Sequence, residues 1–399
     1  MAGKLFIVGG GMDAHYERIF SAFVEAAGGK NAKIAMVVSA SGDEPDDTFR
    51  KYQKDLIRLG AKEVILIPLY GNEFVDERGY NALTGDEPAL FPLFEGVTGV
   101  WFTGGDQYYT AGCFLNKDGS FTRALKLIHE VYQNGGAIGG TSAGAAIMSR
   151  AMIGFGNARG VISRDAVFGY DTYDALADEN DDDSMEPLLL TQGLGFFPYG
   201  VVDQHFNKRP RLLRLIEACL RNGENARIGF GISEDTALVF DNGEITVLGA
   251  AGVYIVDCRN AEKTGAGSYK DVIFHTLHEG DSCDAALKTL RLLKDARQEE
   301  AHYRTPDWVG GLTPDSPAFL ALLRDNLLYV RESCLPIERQ KNKPFCKGLA
   351  AYDCGGITYA VQLTYCIGES IKAYEAKTGL SFTDVELDVE TVPLTEIRY

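Results

Sequence analysis

The sequence predicts an α/β fold: a three-layer sandwich in which a mainly parallel sheet carries helices on both faces. Two observations predict it. Short apolar runs alternate with amphipathic stretches through the first 150 residues. That alternation reads as repeated βαβ units, which require a parallel sheet covered on either side. In addition, Gly9-Gly10-Gly11, Gly104-Gly105-Asp106-Gln107 and Gly139-Gly140-Thr141-Ser142-Ala143-Gly144 each sit at the end of an apolar run. The carboxyl ends of the strands are where a parallel sheet gathers its functional loops.

Taken in order, strands are expected at Leu5–Val8, Ile34–Val38, Glu63–Ile67, Gly99–Thr103 and Ala137–Gly139, with helices at Tyr16–Ala27, Asp47–Leu59 and Thr122–Gln133. The run from Asp171 to Glu186, with Asp178, Glu179, Asp181, Asp182 and Asp183, is too acidic to be a buried element. It reads as a solvated loop, or as a rim that attracts a guanidinium group. Val201-Val202 suits a strand end, and Pro210 suits the first turn of a helix running to about Leu220. Short strands follow at Ile228–Ser233, Ala237–Phe240, Ile245–Leu248 and Val253–Asp257, with Asp241-Asn242-Gly243 as a hairpin turn.

From about Gly265 the pattern changes. Helical periodicity appears at Ala285–Arg297, Ser316–Arg331 and Thr358–Lys377. This divides the chain into an α/β domain over 1–280 and a mostly helical C-terminal extension over 281–399 that caps the domain or builds an oligomer contact.

Composition narrows the function classes. Hydrophobic residues at 45% and charged residues at 24% of 399 describe a globular chain with a sizeable core. A formal charge of −17 argues against nucleic acid and would suit a cationic substrate. No apolar run reaches the length of a membrane span and no signal-like segment opens the chain, so no membrane partner and a cytoplasmic location are expected. The eight cysteines show neither CxxC nor zinc-type spacing, and reduced thiols are expected.

Gly140-x-Ser142-x-Gly144 fits a nucleophile elbow, in which a strand turns sharply into a helix and lifts one hydroxyl above the sheet edge. The same residues also fit a tight structural βα turn. A serine nucleophile needs a base, and the base an orienting carboxylate. Of the histidines, His129 lies in an amphipathic helix and His302 in a charged tail segment, while His15 is a helix-start candidate. His275 and His278 form HxxH with no acid at metal-site spacing. His205 follows an apolar strand among Asp203, Gln204 and several arginines, where a functional residue of such a sheet belongs. Glu234, in Ser233-Glu234-Asp235 after a strand, is the candidate acid.

Arg209, Arg211 and Arg214 stand at a helix start, which the helix dipole disfavours. They read as a carboxylate-binding group or as partners of the abundant acids. The order Ser142, His205, Glu234 differs from the Ser, acid, His order of the α/β-hydrolases, though Ser142, Asp203 and His275 could be forced into that order.

These segments resemble a known family. Gly139 to Ala145, Asp203-Gln204-His205-Phe206 with Arg209-x-Arg211-x-x-Arg214-Leu215, and Gly231-Ile232-Ser233-Glu234-Asp235-Thr236-Ala237 look like the cyanophycinase-like serine peptidases, which share a family with aspartyl dipeptidase (peptidase E). Ser39-Ala40-Ser41-Gly42 and Phe102-Thr103-Gly104-Gly105-Asp106-Gln107 extend the match over roughly residues 4 to 257. The resemblance implies a sandwich related to the class I glutamine amidotransferases, with serine replacing the cysteine nucleophile. By position it makes Ser142 the nucleophile, His205 the base and Glu234 the orienting acid. It places Gly105 and Ala143 amides in the oxyanion hole, and Gln107, Asp203, Gln204, Arg209, Arg211 and Arg214 in the substrate pocket. It further implies a peptide substrate with β-linked aspartyl residues, no metal or other cofactor, and a homodimer. The rival readings are an aspartyl or isoaspartyl dipeptidase and a non-catalytic amidotransferase-like binding domain.

Overall fold

A computed structural model describes residues 2–12, 16–42, 45–70, 84–168, 186–209, 211–222, 227–291, 345–354, 357–366, 372–376 and 379–393. The N-terminal part builds half of a large sheet. Across it run Leu290–Arg291, Ser282–Asp284, Glu244–Gly249, Thr236–Asp241, Leu5–Val8, Ala137–Thr141, Gly99–Phe102, Lys33–Val37 and Glu63–Ile67. From Leu5–Val8 to Glu63–Ile67 every pairing is parallel. On the other side of Leu5–Val8 the pairings are antiparallel.

The continuous apolar strands explain how this half is covered. Leu5, Ile7, Ala35, Val37, Val100 and Phe102 join the core on one face of the sheet. Their neighbours Phe6, Val8, Ile34, Met36 and Trp101 join a second core on the other. Side chains alternate across a strand, so a run that is apolar at every position must be buried twice. Helices Tyr16–Ala26 and Pro45–Arg58 bring Phe20, Phe23 and Leu56 to the second core. Helix Arg123–Gln133 brings Leu125 and Ile128 to the first. Trp101 packs edge-on against Phe20 and Phe23, with ring centroids 4.9 Å apart in each case, a geometry that adds about 0.5–1.5 kcal/mol to burial.

The expected strands and helices of this region stand within two residues of their observed bounds. The hairpin forms as well, with Asn242 and Gly243 at φ 48° and 90°. The result is a mixed α/β fold with a large, partly parallel sheet.

A second sheet orders Phe345–Cys354, Ile357–Cys366, Gly379–Pro393, Ser268–Leu277, Val253–Asp257, Ile228–Ile232 and Val201–Asp203. Only the last pair is parallel. Helix Leu212–Arg221 packs on it through Leu215, Ile216 and Cys219.

This sheet corrects the expected helical tail. Thr358–Lys377 is not a helix but lies across the strands Ile357–Cys366 and Lys372–Ala376. The sequence Ile357-Thr-Tyr-Ala-Val-Gln-Leu-Thr-Tyr-Cys366 is rich in β-branched and aromatic residues, which fit a pleated sheet better than a helix. The long strand Gly379–Pro393, whose own Leu387 and Val389 are buried, pairs with it on one side and with Ser268–Leu277 on the other. Within the expected helix Ala285–Arg297, Leu290–Arg291 is a strand of the first sheet. The expected helix Ser316–Arg331 lies outside the described residues, as do His15, Pro210, His302 and the acidic run apart from Glu186. Among the described residues no helix is long and apolar enough to cross a membrane.

Candidate active site

The site lies where the two sheets meet. Strand Ala137–Thr141, flanked in parallel by Leu5–Val8 and Gly99–Phe102, ends at Ser142. Ser142 holds φ 53° and ψ −112°, and helix Ala143–Ala146 starts immediately after it. A serine with positive φ is strained, and such residues persist only where the surroundings over-determine them. Part of that determination is the bond from Ser142 N–H to the Val8 carbonyl, 3.0 Å.

His205 and Glu234 come from the second sheet. His205 follows strand Val201–Asp203, and Glu234 follows strand Ile228–Ile232, which runs parallel beside it. After Glu234 the chain crosses into Thr236–Asp241 of the first sheet. His205 Nε2 lies 2.8 Å from Ser142 Oγ, and His205 Nδ1 lies 2.6 Å from Glu234 Oε1. The hydrogen bond to Glu234 places the Nδ1 proton on the carboxylate side and leaves Nε2 as the acceptor facing the serine. A hydroxyl, an imidazole and a carboxylate in this chain can together activate the serine oxygen.

The first Gly loop holds the arrangement. Gly9 and Gly10 carbonyls accept the N–H groups of His205 (2.7 Å) and Asp235 (2.9 Å). A Cβ at Gly10 would stand 2.3 Å from His205 Cε1, and one at Gly11 2.6 Å from Glu234 Oε2. The loop backbone therefore lies directly on the imidazole and the carboxylate. Gly10→Ala is expected to displace the ring and lower hydrolysis by about a hundredfold, the cost of a roughly 1 Å misplacement. A kcat comparison at saturating substrate checks this. Sequence reasoning noted the loop but not its contact. Its signal was the Gly triplet at the carboxyl end of the first strand.

The remaining expected site residues divide by role. Gly105 sits at φ 132°, with its backbone pressed on Ala40: an added Cβ would be 1.6 Å from the Ala40 carbonyl oxygen. Asp106 N–H bonds that same oxygen at 2.9 Å. Ala143, first in its helix, has an amide with no acceptor inside the helix. Gln107 Nε2 donates to the Ile153 carbonyl at 3.1 Å and to that of Gly154.

Asp203 is buried, and its carboxylate is gripped by Arg214 through Nε (2.8 Å) and Nη2 (2.6 Å). The third Arg214 nitrogen donates to the Gly156 carbonyl at 2.7 Å. Arg211 Nη1 donates to the Gln204 carbonyl at 2.6 Å. Burial, then the charge of Arg214, hold the Arg211 guanidinium well below its ordinary value, with Asp203 acting in the opposite direction. Gln204 is buried, and its Oε1 makes no hydrogen bond among the described residues. Arg209 is exposed. The alternative set of Ser142, Asp203 and His275 is not assembled: Asp203 is held by Arg214, and His275 Nδ1 accepts Asp384 N–H at 3.0 Å.

Burial holds His205 below its ordinary 6.5; Arg209 and Arg211 push the same way, and the hydrogen bond to Glu234 opposes them. Only neutral imidazole can accept the serine proton. The acid limb of the rate profile is therefore expected below pH 6.5, and Arg209→Ala should move it upward by removing one of those charges. A pH profile of kcat/KM on both proteins checks this. The stability sign follows from the same direction. As pH falls, the unfolded chain protonates this histidine first, so its contribution is present above 6.5 and is lost from there down to the folded value.

With this geometry in view, the chain can be compared with known proteins. The model of a family described as Peptidase family S51 matches residues 93–248. Cyanophycinase from Synechococcus elongatus is 30% identical over 289 residues, covering 70% of this chain and 78% of that protein. Cyanophycinase from Geminocystis herdmanii (strain PCC 6308) is 32% identical over 270 residues, covering 67% and 85%. A solved structure of a peptidase from an acI-B1 Actinobacterium is 22% identical with a TM-score of 0.47, covering 71% of this chain and 97% of that one. The chain belongs to peptidase family S51 and is a cyanophycinase-like serine peptidase.

Proposed function

We propose that the protein is a serine-type exopeptidase that hydrolyses β-linked aspartyl-arginine polymer (cyanophycin), or related β-aspartyl peptides, through an acyl-enzyme on Ser142. The observation that carries this reading is the unbroken chain from Ser142 Oγ to His205 Nε2 and from His205 Nδ1 to Glu234 Oε1. His205 takes the hydroxyl proton as Oγ attacks the scissile carbonyl, which in the polymer is the one that joins one Asp-Arg unit to the next, so that each unit leaves with its β-linkage intact. Glu234 keeps the imidazole in the required tautomer and stabilises the imidazolium. The Gly105 and Ala143 amides receive the oxyanion, and His205 returns the proton to the leaving amine. Water, deprotonated by the same histidine, then releases the aspartyl product.

The arginines have separate tasks in this reading. Asp203 and Arg214, satisfied by each other, form the support on which the pocket rests. Arg211 and exposed Arg209 supply the positive charge that holds a free carboxylate of the substrate, with Gln107 and Gln204 lining the same pocket. The chain's charge of −17 suits the substrate's own guanidinium. The reading includes a cytoplasmic homodimer acting without metal or cofactor, and light scattering on the purified protein tests the dimer.

Incubation with β-Asp-Arg polymer beside an α-aspartyl dipeptide tests the substrate. Release of Asp-Arg dipeptide from polymer is the expected result. Cleavage of the α-aspartyl dipeptide alone would transfer the protein to the dipeptidase reading.

A further inference from the structure

We infer that Asn207 is a positioning residue that fixes Glu234 against His205, a role that rests on the reading of Ser142, His205 and Glu234 as the catalytic set. The base and its acid sit on separate loops, 29 positions apart in the chain. Asn207 lies two residues after His205, in the turn closed by Lys208 N–H and Arg209 N–H on the His205 carbonyl, 3.0 Å each. From that turn its Oδ1 accepts the N–H of Glu234 at 2.9 Å. The donor is a backbone N–H, so the amide oxygen of Asn207 must face it.

The surrounding bonds show what this contact adds. Phe206 N–H on the Ile232 carbonyl (3.1 Å) joins the two loops below the site. The Gly9 and Gly10 carbonyls bind His205 and Asp235 from the side of the first sheet. Beyond Glu234, Thr236 Oγ1 donates to the Glu234 carbonyl (3.0 Å) and itself accepts Ala251 N–H (3.0 Å). Glu234 thus has its carbonyl held from one side and its N–H held by Asn207. With both peptide groups fixed, its carboxylate is aimed at Nδ1, and that contact is 2.6 Å. His205 and Asp235, at φ 49° and 52°, are both strained backbones that such ties must hold in place.

The test is the rate at which an alkyl fluorophosphonate labels Ser142. Oγ forms the bond to phosphorus, the P–F bond breaks, fluoride leaves and the hydroxyl proton passes to His205. Labelling is located by peptide mapping and expressed per folded protein. Asn207→Ala is expected to slow labelling about ten- to a hundredfold, as a small misplacement of a catalytic group does. Asn207→Asp should restore most of the rate, because a carboxylate oxygen accepts the Glu234 N–H at least as well. It should also move the acid limb of labelling to higher pH, since it adds a negative charge near a histidine that already faces Glu234, Arg209 and Arg211.

A merely structural asparagine would change the melting temperature and leave the labelling rate per folded protein unmoved. If Asn207→Ala does not fold, Asn207→Leu, similar in length but with no acceptor, replaces it. Labelling of Asn207→Ala at the wild-type rate, or of Asn207→Asp as slowly as Asn207→Ala, would overturn the inference and leave Ser142 as nucleophile. Failure of the wild-type protein to label at Ser142 would overturn both.

Discussion

Ser142→Ala is expected to lower kcat by roughly 10⁴-fold or more, the scale on which removal of a serine nucleophile acts. Folding should be left intact. The hydroxyl meets His205 Nε2 at 2.8 Å, and the surrounding backbone is held by main-chain bonds that alanine retains. Ser142 N–H still reaches the Val8 carbonyl, and the Ala145 and Ala146 amides still reach the Ser142 carbonyl. The positive φ costs alanine much what it costs serine. Equal unfolding midpoints with lost turnover would assign the effect to chemistry. Activity within tenfold of wild type would place the nucleophile elsewhere. His205→Ala combined with Ser142→Ala should add little to either change alone, because residues of one catalytic unit are not additive.

The largest expected effect on stability belongs to Asp203→Ala, at about 3–5 kcal/mol, the cost of breaking a buried ion pair from one side. The Asp203 side chain is 1% exposed and that of Arg214 6%. The carboxylate accepts two guanidinium nitrogens of Arg214 and the Gln204 N–H, and Arg211 Nη1 lies 3.5 Å away. Deleting it leaves two buried cations in one small volume. Asp203→Asn, which retains an oxygen acceptor, should cost less. Arg209→Ala, at an exposed position, should change stability by no more than about 0.5 kcal/mol. Urea unfolding of the three variants gives the order directly. Equal midpoints for Asp203→Ala and Arg209→Ala would show that the ion pair holds nothing together.

The contrast between Arg209 and Arg214 shows where sequence reasoning stops. Arg209, Arg211 and Arg214 looked alike because they crowd one helix start. The helix begins at Leu212, so Arg209 and Arg211 precede it, and only Arg214 points from its first turn into the core. Which guanidinium meets Asp203 depends on the rotation of that helix over strand Val201–Asp203, and no local pattern encodes that rotation.

The parallel half of the first sheet was legible for the opposite reason. Strands such as Leu5–Val8, buried on both faces, are apolar at every position, and the helices between them show their own period. The tail misled because apolar residues at Thr358–Lys377 also meet a helical template. The β-branched and aromatic content of Ile357–Cys366 was the better guide, since the strand pairs on one side with Phe345–Cys354 and on the other with Gly379–Pro393, which lies downstream and outside a local window. Ser142, His205 and Glu234 could be nominated together because each follows a strand. That His205 and Glu234 come within hydrogen-bond distance goes with the Gly9–Gly11 loop lying against both, and that is a long-range fact.

The proposed chemistry passes through an ester at one oxygen, and rapid acid quenching traps it. The protein is mixed with excess β-Asp-Arg substrate, stopped within milliseconds and mapped by peptide mass. The prediction is an aspartyl adduct on the peptide carrying Ser142, formed before steady state and absent in Ser142→Ala. Turnover of the substrate with no adduct at Ser142, or with the adduct on another residue, would contradict it.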